Sequence, residues 1–195
     1  MHFKGEFAAL RPLEVTDAEL TLGWRQAWRA RFLQRGAQTI AEQEQWIAAH
    51  QQKDELNFII EYQSRAIGMI ALLAINMLHR TAELGRLLVG VPELTHGAPV
   101  AFEAELLLCD YAFDELRLHK LYGDIMEDNA AMIRMRRYLG YKVDGVLREH
   151  YIYDGVFKST VAVSLLENEY RGTCRPKLAQ LTRLFGRTVH KPSSS

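Results

Sequence analysis

The sequence predicts a single α/β domain, a mixed central sheet with helices on both faces, and three observations carry that expectation. Strand-like runs alternate with stretches of three-to-four-residue apolar period, so the pattern switches between β and α several times along the chain. Ala82 to Gly90 (AELGRLLVG), Ala101 to Leu116 and Lys120 to Met126 then read as strand, helix and strand in direct succession, which is the layout of a crossover unit. Finally, 195 residues with 48% apolar and 25% charged side chains suit one ordinary core rather than two domains or a disordered chain.

The same composition excludes several function classes. Formal net charge is zero, so no whole-molecule basic field for nucleic acid exists. The longest apolar runs, such as Ile67 to Ile75, are far too short to cross a bilayer. MHFKGEFAALRPLE lacks the apolar core of a secretory signal, so the expected location is the cytoplasm. Cys109 and Cys174 show no metal or disulfide spacing and are read as free thiols, with no metal expected.

Taken in order, Phe7 to Pro12 is a short strand that Pro12 ends, because proline cannot donate to a ladder. Thr16 or Asp17 can cap a helix over about Ala18 to Leu33, with Leu20, Trp24, Ala27, Trp28 and Phe32 as its apolar stripe. Thr39 with Glu42 opens a second helix bearing Trp46, Ile47 and Ala49, and Gly36 separates the two. Asn57 to Tyr62 and Ala66 to Ile75 form a hairpin around a short polar turn, QSR, and Thr81 to Val89 continues the meander. The helix Ala101 to Leu116 is expected to turn Ala101, Leu106, Leu108, Cys109, Ala112, Phe113 and Leu116 to the sheet and Glu103, Asp110, Asp114 and Glu115 to water. Asn129 opens a further helix that LGY (Leu139 to Tyr141) ends, and a strand pair surrounds VLREHYIYDGVFKSTVAVSLL. One domain over residues 1–170 is expected. Residues 171–195 read as a basic C-terminal tail: Arg171, Arg175, Lys177, Arg183, Arg187 and Lys191 occur without an acid, and Leu178, Leu181, Leu184 and Phe185 recur at helical spacing.

From Arg80 to Leu166 the signatures HRTAELG, LCDYAFDELRLHKLYGDIMEDNAAMIR, LGY and VLREHYIYDGVF run in one order over some ninety residues. In these the chain resembles the GNAT (GCN5-related N-acetyltransferase) superfamily, in the branch of ribosomal-protein N-terminal, polyamine and amino-sugar acetyltransferases. The resemblance implies a GNAT-like sheet with a splayed strand pair, Ala82 to Gly90 and Leu121 to Met126, that takes the pantetheine arm of acetyl-CoA. It implies backbone contacts from Leu87, Leu88 and Val89 and a side-chain contact from Asn129, which is equally explained as an N-cap. It also implies a diphosphate turn over Gly97, Ala98, Pro99, Val100 and Ala101, where Pro99 replaces a glycine and removes one N–H donor. Arg134 or Arg136 could add phosphate contacts.

For chemistry, the resemblance implies Glu83 as the base that removes a proton from the acceptor amine. Arg136 occupies the position of the tyrosine that protonates the leaving thiolate in relatives; as an arginine it is a poor proton donor, so its expected catalytic role is to stabilise the thiolate or a phosphate by charge. His119, Tyr122, His150 and Tyr151 are further titratable candidates. The N-terminal helical pair would cover the acceptor, which offers Trp24, Arg25, Trp28 and Arg29, with Tyr151, as substrate contacts. Core tryptophans and solvated arginines are the plainer reading. Three functions follow: transfer of acetyl to a small-molecule amine or peptide N-terminus; the same fold with a changed donor such as aminoacyl-tRNA, met by Arg134, Arg136, Arg137 and the tail; or a silent binding module. Oligomeric state, monomer or homodimer, stays open.

Overall fold

The structure is a computed structural model that describes residues 1–33, 36–50 and 54–189, the side chains of 186–189 excepted. Strands β1 (Phe3–Lys4) and β2 (Ala9–Pro12) lead into α1 (Ala18–Gln26) and α2 (Ile40–His50). The meander β3 (Leu56–Tyr62), β4 (Arg65–Asn76) and β5 (Thr81–Val89) follows, then α3 (Val100–Asp110), β6 (Lys120–Met126) and α4 (Ala130–Leu139). The hairpin β7 (Lys142–Tyr153) and β8 (Val156–Leu166) precedes α5 (Glu167–Glu169) and α6 (Arg175–Val189). These strands make one 8-stranded sheet in the order β1-β2-β3-β4-β5-β6-β8-β7.

Helices lie on both faces, as the sequence predicts. On one face Leu72, Ala82, Leu84 and Leu121 pack with Ala104, Leu108 and Cys109 of α3 and with Tyr170, Cys174 and Leu178. On the other, Ile59, Met69 and Leu88 pack with Trp24 of α1 and Ile47 of α2. Each face is thus buried by its own helices, the arrangement that lets strands read as nearly continuous apolar runs.

Turn chemistry sets the register. The β3–β4 hairpin closes on two residues, Gln63 and Ser64, both with positive φ, as a tight mirror-image turn requires. Asp154–Gly155 does the same between β7 and β8, and Gly140 ends α4 in a left-handed C-cap. Thr39 caps α2 as expected, its hydroxyl accepting the Glu42 N–H at 3.2 Å.

Several local expectations are corrected. The first helix stops at Gln26 because Ala27 is extended (φ −70°, ψ 152°), and a short 3-10 turn, Trp28–Ala30, follows. Trp28 therefore leaves the apolar stripe and is 78% exposed, whereas Trp24 is core. Gly90 lets Trp24 in, since a Cβ there would collide with the indole ring. Glu103 does not face water: buried in the first turn of α3, its carboxylate accepts the N–H groups of Glu6, Phe7 and Ala8 at 2.9, 2.6 and 2.5 Å. It stands in for strand partners that the loop between β1 and β2 lacks.

The expected boundary at residue 170 falls inside a helical run from Glu167 to Val189, and α6 packs on α3. Two cations of the run meet acids, Arg175 pairing with Asp110 of α3 and Arg171 with Asp114 and Glu167, while Lys177 donates to Tyr138 O and Arg183 to Ala179 O. Residues 171–195 contain no acid; two of those partners, Asp114 and Asp110, lie 57 and 65 residues before the arginines they meet, and the third, Glu167, lies just before that stretch begins. Lys191, Ser193 to Ser195 and the Arg187 side chain lie outside what the structure describes.

Candidate active site

The sheet opens where the crossover predicts. β5 and β6 are parallel and pair only through Thr81–Lys120, Ala82–Leu121 and Glu83–Tyr122. Beyond Glu83 the strands part, although each stays bonded to its outer neighbour, β5 to β4 and β6 to β8. A bulge sharpens the divergence: Met69 pairs with Leu88 and Ala71 with Gly85, so one β4 residue faces two of β5, and Arg86 takes a φ of 55°. Bulges bend a strand and leave ladder groups unpaired. The result is a cleft of about 180 Å³ lined by Leu87 and Leu88 on one side and Gly123, Ile125 and Met126 on the other.

Three of the predicted donor contacts come together here. Leu87 and Leu88 line the cleft, and Asn129 stands at its end as N-cap of α4, its side chain accepting the Met132 N–H at 3.3 Å. Val89 follows directly in β5. The turn before α3 is built as a helix-terminus anion site would be, with Pro99 as N-cap and no side-chain oxygen on the first-turn N–H groups. Gly97 supplies a φ of 81°, which few side chains tolerate. The Ala98 N–H is already taken by Thr95 O at 2.8 Å, so Ala101 and its neighbours at the helix start carry the donor capacity. Arg134 is exposed on α4.

Glu83 sits at the fork, in register with Tyr122 of β6. Burial, then the nearby Asp124, push its carboxyl above the usual range, against the pull of Arg86. Burial raises Asp124 as well, with His150 3.7 Å away opposing. Burial followed by the Glu83 charge raises the Tyr122 phenol, so it stays protonated at neutral pH. Arg86 is held by Glu55 at 2.8 Å and lies over the Trp46 ring at 4.6 Å.

Arg136 borders the cleft from below but is buried and committed. Its guanidinium is paired with Glu105 of α3 and lies 4.8 Å from the Tyr141 ring centroid, and the Tyr141 hydroxyl donates to the same Glu105 oxygen at 3.3 Å. Burial, the largest single influence, lowers the arginine's hold on its proton, but the charge of Glu105, with Tyr141, Cys109 and the hydrogen bond to Glu105, together outweigh it, and the outcome is a group still further from releasing a proton. Of the arginines on α4, Arg134 and Arg137 reach the surface while Arg136 does not, so the expected basic patch lacks its middle member. Glu105 is the site residue the sequence reading missed. Its signal was a carboxylate one residue from the apolar positions of an otherwise apolar helix stripe.

A second cavity, about 590 Å³, meets the cleft at Phe32, Leu33 and Met126. Arg25 and Trp28 line it, with Tyr153, Asp154 and Lys158 from the β7–β8 hairpin opposite. Trp24 is buried in the core and does not line it, and Arg29 borders the cleft instead. Tyr151 lies on β7 against His150, two residues short of the Tyr153 that lines the wall. Among the described residues no group of His, Cys, Asp and Glu could hold a metal ion, and no helix is long and apolar enough to cross a membrane.

This geometry coincides with comparison to known proteins. Residues 8–142 match the family model described as acetyltransferase (GNAT) domain. The chain belongs to the GNAT acetyltransferase family. Within the GNAT family, it is similar to spermidine N(1)-acetyltransferase of Escherichia coli strain K12, 31% identical over 118 residues, or 60% of this chain and 62% of that protein. The chain thus spans less than two thirds of that relative's length. It is also 31% identical over 176 residues to "Probable N-acetyltransferase YjcK" of Bacillus subtilis strain 168, covering 84% of this chain and 96% of that one. Among solved structures, the spermidine N-acetyltransferase SpeG K23-Q34 chimera from Vibrio cholerae and hSSAT superposes with a TM-score of 0.75 at 25% identity, over 85% and 99% of the two chains. A GCN5-related N-acetyltransferase from Brucella melitensis shares the fold at TM-score 0.75 and 22% identity, over 96% and 84%.

Proposed function

We propose that this GNAT protein transfers an acetyl group from acetyl-coenzyme A to the nitrogen of an amine acceptor. The observation that carries the reading is the parting of β5 and β6 just after Glu83–Tyr122, which leaves backbone groups of both strands open beside a carboxylate of raised proton affinity. An amide-bearing arm laid between the strands would satisfy those groups as an added strand does. Leu87, Leu88 and Val89 would hold that arm from β5 and Asn129 from α4, while Gly97, Ala101 and Arg134 would face the phosphates and Ala98, its N–H spent on Thr95, would shape the turn. The group supplies an activated acetyl thioester.

The chain's own residues then have distinct tasks. Glu83 takes the proton of the incoming ammonium, and a raised pKa makes it a stronger base near neutral pH than an ordinary carboxylate. Tyr122, in register with Glu83 and protonated, is the phenol in the cleft that can return a proton to a leaving thiolate. Arg136 cannot, and acts by pinning α4 to α3 through Glu105, which keeps Asn129 and the α3 N-terminus on opposite sides of one cleft. Trp28, Arg25 and the β7–β8 turn admit the acceptor through the larger cavity.

The test is calorimetric titration of coenzyme A, followed by thiol release from acetyl-coenzyme A in the presence of an amine panel. Saturable binding with acceptor-dependent thiol release is expected. Absence of coenzyme A binding would overturn the reading. Bulk tRNA in the same titration separates the changed-donor alternative, which the burial of Arg136 leaves without its central contact.

A further inference from the structure

The larger cavity carries a charge pattern that the overall neutrality of the chain conceals. Of the charged side chains that line it among the described residues, Arg25 and Lys158 are the least exposed, while Arg31, Asp128 and Asp154 are exposed. Arg25 is half-buried there, with its guanidinium beside Gly36, where even a Cβ would come within 3.3 Å of Nε. Arg31 borders the same space, held flat against two rings, 4.7 Å from Trp28 and 4.5 Å from Phe32. The carboxylates that line it among the described residues, Asp128 and Asp154, are both exposed, and Asp128 is tied to Lys158 at 2.7 Å. Burial, and then the charge of Arg86, weaken the hold of Arg25 on its proton. A cation entering the cavity beside Arg25 would add to that repulsion, whereas an anion would relieve it.

We propose that the acceptor is an amine that also carries an anionic group, a carboxylate or a phosphate, which Arg25 and Arg31 receive while the amine is directed toward Glu83. The inference rests on the acetyl-transfer reading for the amine end, and on the cavity itself for the anionic end. Aromatic side chains at its mouth, Trp28 and Tyr153, favour an acceptor with a flat apolar body. The pattern also separates this chain from its polyamine-named relatives, because a polycation would have to place positive charge against Arg25.

Matched pairs test this directly. Phenylalanine is compared with phenylalaninamide, and glucosamine 6-phosphate with glucosamine, alongside spermidine, so that the carboxylate and phosphate arms are read separately. Two readouts are taken: kcat/KM for acetyl transfer, and binding to the donor-free protein by tryptophan fluorescence. An anionic member of at least one pair is expected to exceed its neutral partner about tenfold or more in both readouts, because a charge-assisted pair is worth roughly ten- to hundredfold. Arg25→Gln should collapse that ratio toward one, and Arg25→Lys should keep most of it. A neutral amine or spermidine that binds and reacts as well as the anionic compounds overturns the proposal. So does a ratio unmoved in a folded Arg25→Gln protein; if that variant does not fold, the wild-type ratio and Arg25→Lys decide. Failure of coenzyme A binding with anion preference intact would defeat the transferase reading and leave the anion site standing.

Discussion

Arg136→Met is expected to be among the most destabilising single substitutions in the chain. The change removes the guanidinium and leaves Glu105, 3% exposed, as a buried carboxylate whose one other side-chain partner among the described residues is the Tyr141 hydroxyl at 3.3 Å. Breaking a buried ion pair from one side costs about 3–5 kcal/mol, because the survivor has lost its water without compensation. For a chain of this size that corresponds to a fall in Tm of roughly 6–20 °C. Replacing both partners, Arg136→Met with Glu105→Leu, removes both charges and should recover most of the loss, since apolar residues of similar volume commonly match a buried pair. Urea denaturation of wild type, both singles and the double gives the coupling energy. A loss below about 1 kcal/mol in Arg136→Met, or additive effects in the double, would show that the pair does not hold α4 to α3. A phosphate or thiolate would then be the more credible partner for Arg136.

Other perturbations probe separate parts. Glu83→Gln should lower turnover more than tenfold, since a general base contributes about 10²–10⁴; because the folded state raises this carboxyl, wild-type turnover should climb with pH through a value above the ordinary glutamate range. The same shift means the folded state gains from protonating Glu83, a contribution present at low pH and lost as pH rises, so the stability of Glu83→Gln relative to wild type should grow between pH 4 and pH 8 in thermal melts. Glu103→Ala strips three backbone N–H groups of their acceptor and should cost at least about 2 kcal/mol in urea denaturation, with early amide exchange in residues 5–8. Pro99→Gly should tighten coenzyme A binding in calorimetry by restoring an N–H at the start of α3, and an unchanged Kd would place the phosphates elsewhere.

Much of the fold was legible because its signals are local. The β3–β5 meander, the switch to helical period after Gly97 and the LGY stop each depend on residues near in sequence, and each stands where expected. What escaped depends on contacts across the chain. Glu103 reads as a solvated first-turn acid, and only the approach of residues 6–8 turns it into a buried acceptor. Glu105 and Arg136 are 31 residues apart, and nothing in either neighbourhood announces the other. Trp28 looked like a core residue by period, but one extended residue, Ala27, broke the helix and moved it to the cavity. The basic tail was visible as charge, while its docking required acids at the end of α3 and in the turn after it, Asp110 and Asp114, that the tail itself does not contain.

The most direct test of the cleft is amide hydrogen exchange with and without coenzyme A. Ligand in the fork between β5 and β6 is expected to slow exchange in residues 85–89 and 123–126, at the start of α3 and at the start of α4, while β2 and β3 stay unchanged. Coenzyme A that binds while leaving 85–89 and 123–126 at their free rates would contradict the placement of the donor, and with it the role assigned to Glu83.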